Sequence, residues 1–507
     1  MPTEVLVVGG GGSGLAAAVS AAENGAKVTV LEKNPACGGT TAWSIGSITA
    51  TRTVYQRRRG IVDNPDDHYE DMALFPARDG EDRADRVRPD NDALRRILVD
   101  EVPQTFQWLY DMGVEFFGPS EEQPNRRPRM HNVMPTSRSY IYHLEKRARR
   151  LGVEIVTSAR AVRFLKDGER VHGVEYEKGG RLHQVLASRA VVLASGDYAG
   201  NPDLRREWVN DDVARLQPVN PTNTGDGHKM AFDLGARIIN EDMWSGGMRF
   251  VRPPVGPWMT RLPPYKWLMQ LGNFALRVAP GPIVRQLMMS FLTTVLVPSP
   301  KLYKNGAIIV NRRGERFANE LRGVPYGLAH QPEAEAFILL DGAVGKKFSA
   351  WPNYISTAPG VAYAFLNDYR RTRKDIFHEA PTLEDLARKL NIDPAELRRT
   401  VDEHNASNEQ PHPRGLEPRG DRPKLGDGPW YALGPTRNFI HYTDGGLAID
   451  TSFRLLGAND KPIPGLYAVG NVGQGGALLR GHGHHLAWAF TSGRLVGRNV
   501  ARGGGAV

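Results

Sequence analysis

Short apolar runs punctuated by glycine open the chain, and their order predicts a strand, a tight turn, a helix and a second strand. Glu4 to Val8 (EVLVV) reads as a strand, and Leu15 to Gly25 (LAAAVSAAENG) as a helix stopped by glycine. Lys27 to Leu31 (KVTVL) reads as a second strand, with Glu32 directly after it. Beyond a strongly charged stretch over 52–96, read as a surface excursion, the pattern predicts a helix near Asn91 to Tyr110 and a basic helix from Leu144 to Leu151. A strand over Glu154 to Val156 follows, then a hairpin in which Val162 to Leu165 and Val171 to Tyr176 flank Asp167-Gly168. Ala190 to Ala194 (AVVLA) reads as a buried strand running into Ser195-Gly196-Asp197, and Thr224-Gly225-Asp226-Gly227 opens a helix over His228 to Leu234.

After about residue 238 the pattern changes. Prolines are dense from Pro253 to Pro264, and two apolar stretches follow, Trp267 to Val278 and Gln286 to Val297, with Lys266, Arg277 and Arg285 beside them. Neither reaches the ~20 residues that span a bilayer. Three readings stand for them: core helices, a lid over an apolar substrate, or a peripheral membrane contact through 266–297. A strand over Ala307 to Asn311 precedes Arg316-Phe317-Ala318-Asn319-Glu320. Thr382 caps a helix over Leu383 to Leu390, and Asp393-Pro394 starts another over Ala395 to Asn405. Ser407 to Asp427 is a loop rich in proline, glycine and charge. A strand ending in glycine over 465–471 and a helix over His484 to Asn499 return the chain to its opening character. The segments are therefore 1–238, 239–436 and 437–507.

The 507 residues are 40% hydrophobic and 24% charged, ordinary for a globular enzyme. The net charge of +9 suits a basic surface, an anionic substrate or an anionic membrane. No basic block interleaved with aromatics points to nucleic acid. The single cysteine, Cys37, allows no intramolecular disulfide, and no paired Cys/His spacing calls for a metal. With no export signal before the first strand, the expected location is cytoplasmic, with membrane association through 266–297 as the open addition.

The opening run carries chemistry. Gly9, Gly11 and Gly14 satisfy G-x-G-x-x-G between a strand and a helix, and Glu32 ends the next strand. Such glycines let backbone approach a pyrophosphate, the helix N-terminus favours the anion, and the acid accepts from ribose hydroxyls. Dinucleotide binding follows from the residues themselves.

Several separated motifs occur in order: GGGGSGLAAA…LEK, Gly38-Gly39-Thr40-Thr41, TGDG, NGAIIVNRRGERFANE, HYTDGGLAID and IPGLYAVGN. As a set this resembles the flavoproteins that include fumarate reductase, the succinate dehydrogenase flavoprotein subunit and 3-ketosteroid Δ1-dehydrogenase. The resemblance implies an α/β fold, a Rossmann-like FAD-binding domain (GR2-type) interrupted by an α+β cap domain over 239–436. It implies FAD lined by Gly9, Gly11, Gly12, Ser13, Gly14, Glu32, Lys33, Gly38, Gly39, Thr40, Thr41 and Ser44 from the first segment. Ala161, Ser195, Gly196 and Asp226, then Gly470, Asn471, His485 and Leu486, complete the expected lining. No histidine stands near Thr41 to Ser44, where some members link the flavin, so noncovalent FAD is expected. A helix beginning near His484 would aim its N-terminus at the flavin.

Two reaction patterns compete within the resemblance. Fumarate reductases hold dicarboxylates with histidines and arginines. His441 and Arg480 match two of those positions, while the proton-donating arginine falls on Val324, with Arg322 out of register. Ketosteroid dehydrogenases carry a Pro-Tyr after the same Asn-Glu, and here Val324-Pro325-Tyr326 follows with two extra residues. In that pattern Tyr326 is the base, and a carbonyl is polarised by Arg480, His482, His484 or the Gly483 N–H. The leading expectation is a dehydrogenase that desaturates the Cα–Cβ bond beside a ketone in a cyclic, largely apolar small molecule, passing electrons to an external acceptor. The alternatives are a reductase of an activated alkene acid and an FAD-binding electron-transfer subunit.

Overall fold

The computed structural model describes residues 3–75, 88, 90–251, 262–278, 289, 293, 299–321, 324–358, 362–408 and 415–503. Most of the second apolar stretch, 286–297, lies outside them, as does Arg322.

Among the described residues, the chain builds two main sheets. The larger has eight strands, with Thr3–Val8 near its centre. Thr3–Val8 pairs in parallel with Val28–Leu31 on one side and with Arg181–Leu193 on the other, and Glu154–Val156 and Pro462–Ala468 extend the parallel set outward. The apolar runs predict these strands because both faces are covered and every residue of Val28–Leu31 is buried. Arg160–Asp167 and Arg170–Lys178 form the expected hairpin, which continues onto Arg181–Leu193.

Gly12–Glu23 packs against the last helix, His484–Ala501. The contact is close because the facing positions are small. A Cβ on Gly493 would stand 2.3 Å from the Ser13 carbonyl oxygen, and one on Gly497 2.3 Å from that of Ala17. Helices therefore meet backbone to backbone, and the two ends of the sequence share one core.

The second sheet has six strands and is organised by one long strand, Trp430–Thr443. It pairs with Trp244–Phe250, Glu335–Leu340, Phe377–Ala380 and Gln217–Pro218, and Ile308–Asn311 adds to Glu335–Leu340. Trp430–Thr443 runs unbroken across the expected boundary at 436/437, so the second crossing between bodies is a shared strand and not a linker. Thr382 and Asp393 cap Leu383–Leu390 and Pro394–Ala406 as expected.

Three segments differ from the sequence expectation. Among its described residues, the charged excursion over 52–96 holds Val54–Arg58 and Pro65–Ala73, each capped by a polar side chain, before the expected helix starts at Asp92. The basic helix starts six residues earlier than expected and runs Arg138–Arg150, because Tyr140 and Ile141 bury on the face shared with Leu144. The Gly225 cap is left-handed, so the following helix starts at Asp226 and ends at Phe232.

Candidate active site

A cavity of about 1000 Å³ runs between the two sheets. The glycine turn forms one wall. Gly9 has φ +116°, and a Cβ there would lie 2.4 Å from the Ala194 oxygen. A Cβ on Gly14 would lie 1.9 Å from the Gly9 oxygen. Gly11, Gly12 and Ser13 are left facing the cavity at the start of a helix that has no side-chain cap and no acid in its first turn. Thr41 Oγ1 accepts from the Gly12 N–H at 3.2 Å, which leaves the later first-turn amides and the dipole to favour an anion. The last helix repeats the device. Gly483, left-handed at φ +85°, precedes a first turn without acid or side-chain cap, and Gly483, His485 and Leu486 line the same cavity.

The other expected cofactor residues arrange as follows. Glu32 is buried, and its carboxylate accepts from the Gly10 N–H at 2.7 Å and from the Asn34 N–H at 2.8 Å. Lys33 Nζ stands 2.8 Å from Asp226 Oδ2 and 2.7 Å from Thr224 Oγ1. Burial acts to raise the Asp226 pKa, but the Lys33 hydrogen bond and charge outweigh it and hold the carboxyl below its usual value. Thr40 Oγ1 accepts from Asn220 and Asn223, and Ser44 Oγ donates to the Thr41 carbonyl at 2.8 Å. Gly39, Thr40, Thr41, Ser44, Ala161, Ser195, Gly196 and Asn471 all line the cavity. Gly14, Gly38 and Gly470 do not; they back its wall, where a Cβ on Gly470 would meet Ser13 Oγ at 2.6 Å.

The fit to a flavin dinucleotide rests on these features together. Two uncapped helix N-termini face one cavity. Ser195 Oγ also lies buried there with no partner among the described residues. Cys37 lies behind the loop, where burial, reinforced by the charges of Glu145 and Glu32, pushes its thiol up to about 12. It is a packing group, not a nucleophile.

Lining from outside the motifs includes Phe75, Glu122, Ser245, Arg249, Pro300, Tyr354 and Ser356, and the HYTDGGLAID motif adds His441 and Tyr442. Strand pairing assembles part of this set. Ser245 pairs with Tyr442, and Ser245, Gly247 and Arg249 share one face by the period-two alternation of a strand. Gly247 leaves room for His441, whose Cε1 would be 3.3 Å from a Cβ there. The Tyr442 ring lies against that of His485, with centroids 4.1 Å apart, and His485 Nε2 is 3.2 Å from the buried carboxylate of Asp444.

The expected catalytic residues are dispersed. Of these, His441, His482 and Gly483 line the cavity, as does His485, expected among the cofactor residues, and Arg480 and His484 do not. His484 is fully buried, with Nε2 2.9 Å from His68 Nε2 and Nδ1 donating to the Arg480 carbonyl. Burial, with the added charge of His484, holds the His68 pKa well below its ordinary value. The two rings form a core contact, and neither lines the cavity. His482 is mostly exposed and paired with Glu122. Tyr326 lies on the short helix Val324–Ala329, and its side chain is outside the described part of the structure.

One buried acid missed by the motifs borders the same turn. Burial, with the charge of Asp444 added, raises Asp197 to about 7, although the Ala199 N–H and Asn223 pull it down. The folded chain therefore holds a proton that the unfolded chain, with an ordinary value of 3.8, has released, and stability falls as pH rises between those values. Asp197→Asn keeps the neutral form throughout. Its melting temperature is expected to exceed the parent's at about pH 8 and to match it at about pH 4. A difference that does not change with pH would show that the carboxyl ionises normally in the folded chain.

Comparison with known proteins agrees with the geometry. A family profile described as an FAD binding domain matches residues 4–247 and 283–481. A vinyl phenol reductase from Lactiplantibacillus plantarum is 28% identical over 526 residues, covering 98% of this chain and 96% of that protein. A cytochrome-type fumarate reductase from Shewanella frigidimarina is 26% identical, covering 98% of this chain and 77% of that protein. The structure of a 3-ketosteroid Δ1-dehydrogenase from Sterolibacterium denitrificans shares the fold, with a TM-score of 0.67, 19% identity and 99% of each chain covered.

Proposed function

This chain belongs to the FAD-binding domain family, and we propose that it reduces a carbon–carbon double bond conjugated to an electron-withdrawing or aromatic group. That it is an FAD-dependent oxidoreductase follows from the family. The carrying observation for the finer reading is a single cavity that joins the dinucleotide cradle to a chamber lined by Arg249, Tyr354, His441, Tyr442 and His485. Full-length relatives named as reductases of vinyl phenol and fumarate support the reductive direction.

Reduced FAD, when bound, supplies the hydride. The chain's own residues do the rest. Arg249 offers positive charge to a carboxylate, carbonyl or phenol oxygen on the alkene, drawing electron density from the double bond. Tyr354, Tyr442 and Phe75 give flat apolar surface to a ring substrate. His485, held beside the Asp444 carboxylate, is kept ready to donate a proton to the carbon that does not receive hydride. The C-terminal helix directs its N-terminal dipole into the cavity, favouring negative charge there.

The second reading is the reverse reaction, desaturation beside a ketone, and the aromatic lining favours it equally for a cyclic substrate. Anaerobic mixing separates the two. Reduced protein is expected to regain oxidised-flavin absorbance with enoates, enones or vinylphenols. Bleaching of oxidised protein by saturated cyclic ketones, with no alkene able to reoxidise it, would overturn reduction and select desaturation.

A further inference from the structure

The helix Lys266–Val278 is inside out. Its buried positions are Met269 and Asn273, and Asn273 Nδ2 donates to the Phe116 carbonyl at 2.7 Å while Gln270 Nε2 donates to Glu115 at 2.9 Å. Four of its described apolar side chains face outward. Trp267 is 65% exposed, Leu271 58%, Phe274 62% and Val278 62%. At spacings of four, three and four residues they form one stripe. The polar bonds fix the helix in this orientation, so the stripe is not a core face left partly open. None of the described residues over 262–278 lines the cavity, which removes the lid reading for this helix.

The stripe has a basic surround. At the helix start, the Tyr265 ring meets Tyr142 at 6.2 Å, and His143 Nε2 donates to the Pro264 carbonyl at 2.9 Å, tying it to the helix Arg138–Arg150. That helix exposes Arg138, Lys146 and Arg150. On another side, Lys266 Nζ sits 4.6 Å over the Tyr110 ring, whose hydroxyl accepts from Arg58. Among the described residues, no carboxylate pairs with Arg58, Arg138, Lys146 or Arg150, and Lys266–Val278 contains no acid. An aromatic and aliphatic stripe bordered by unneutralised cations, on a chain of net charge +9, matches the interface of an anionic bilayer. It is less suited to a second copy of the same basic surface, which would bring like charges together.

We propose that Lys266–Val278 seats the protein reversibly on an anionic lipid surface. No described helix is long and apolar enough to cross a membrane, so the contact is peripheral. The inference does not depend on the direction of the redox reaction.

Flotation of the FAD-loaded full chain with phosphatidylcholine vesicles, and with vesicles containing about a quarter phosphatidylglycerol, tests it. Binding is expected only to the anionic vesicles, and is expected to weaken several-fold at about 0.5 M salt. The double variant Trp267→Asp/Phe274→Asp is expected to lose about tenfold or more of that binding. It should keep full FAD content and turnover, because neither residue touches the cavity. Arg138→Ser/Lys146→Ser/Arg150→Ser is expected to reduce both binding and its salt dependence. Equal binding to neutral and anionic vesicles, binding unchanged in the double variant, or no vesicle binding at all would overturn the proposal. A dimer in sedimentation that the double variant abolishes, without vesicle binding, would assign the stripe to a second copy instead.

Discussion

Gly14→Ala is expected to yield a chain that no longer retains FAD and is less stable by roughly 2–3 kcal/mol. By propensity alone the change should help, since alanine is favoured over glycine inside a helix by about 1 kcal/mol. Geometry decides otherwise. The new Cβ would stand 1.9 Å from the Gly9 carbonyl oxygen and 3.2 Å from the Ala194 Cβ. The first belongs to the tight turn and the second directly follows the adjoining strand Arg181–Leu193, so the turn must open, and with it the wall that faces a pyrophosphate. Gly11→Ala is the matched comparison. Its Cβ would meet only the Gly39 Cα at 3.7 Å, and its φ of −77° suits any residue. That variant should keep its stability and lose only affinity, because the methyl would be added to the wall of the cavity. Absorbance of purified protein and thermal unfolding without cofactor measure both quantities. A Gly14→Ala protein as stable as its parent would show that the turn is not sterically locked.

His485→Gln is the second large effect. The proposed reduction needs a proton delivered in step with hydride, and a positioned acid contributes about 10²–10⁴-fold. His485 has the placement for it, lining the cavity with its ring against Tyr442 and Nε2 near Asp444. Glutamine keeps a hydrogen-bonding group beside Asp444 without a transferable proton. The rate of reoxidation of reduced flavin by substrate, followed in a single anaerobic turnover, should therefore fall by that factor while the flavin spectrum stays intact. Asp444→Asn should produce a smaller loss through the same step, since it releases the imidazole without removing it. An unchanged single-turnover rate in His485→Gln would transfer the proton to another lining group, with His441 and Tyr442 next in position.

The cofactor half of the site was legible because its signals are local. A glycine turn, its helix and the acid after the next strand lie within thirty residues, and each constrains backbone in a way few residue types permit. The substrate half was not. Ser245, Arg249 and Tyr354 are ordinary residues in sequence, and they meet Tyr442 of the HYTDGGLAID motif only through strand pairing and long chain return. Adjacent histidines show a finer limit. His484 and His485 begin one helix about 100° apart around its axis, so one enters the core against His68 and the other the cavity. No composition rule distinguishes them. Likewise the apolar content of Lys266–Val278 was evident, but which face it turned outward depended on Asn273 and Gln270 finding partners at Phe116 and Glu115.

The close packing of Gly12–Glu23 against His484–Ala501 bears on how the molecule is made. During synthesis the opening strand and helix emerge from the ribosome first, and domains generally fold in that order. Here the partner that covers Ala17 and faces Ser13 is made much later, since Gly493 and Gly497 each stand 480 positions further along the chain. The nascent opening unit must wait half-finished, its glycine turn formed before the surface that steadies it exists. Retention of flavin then awaits the docking of His484–Ala501, and a chain cut before that helix is expected to stay empty however much cofactor is supplied.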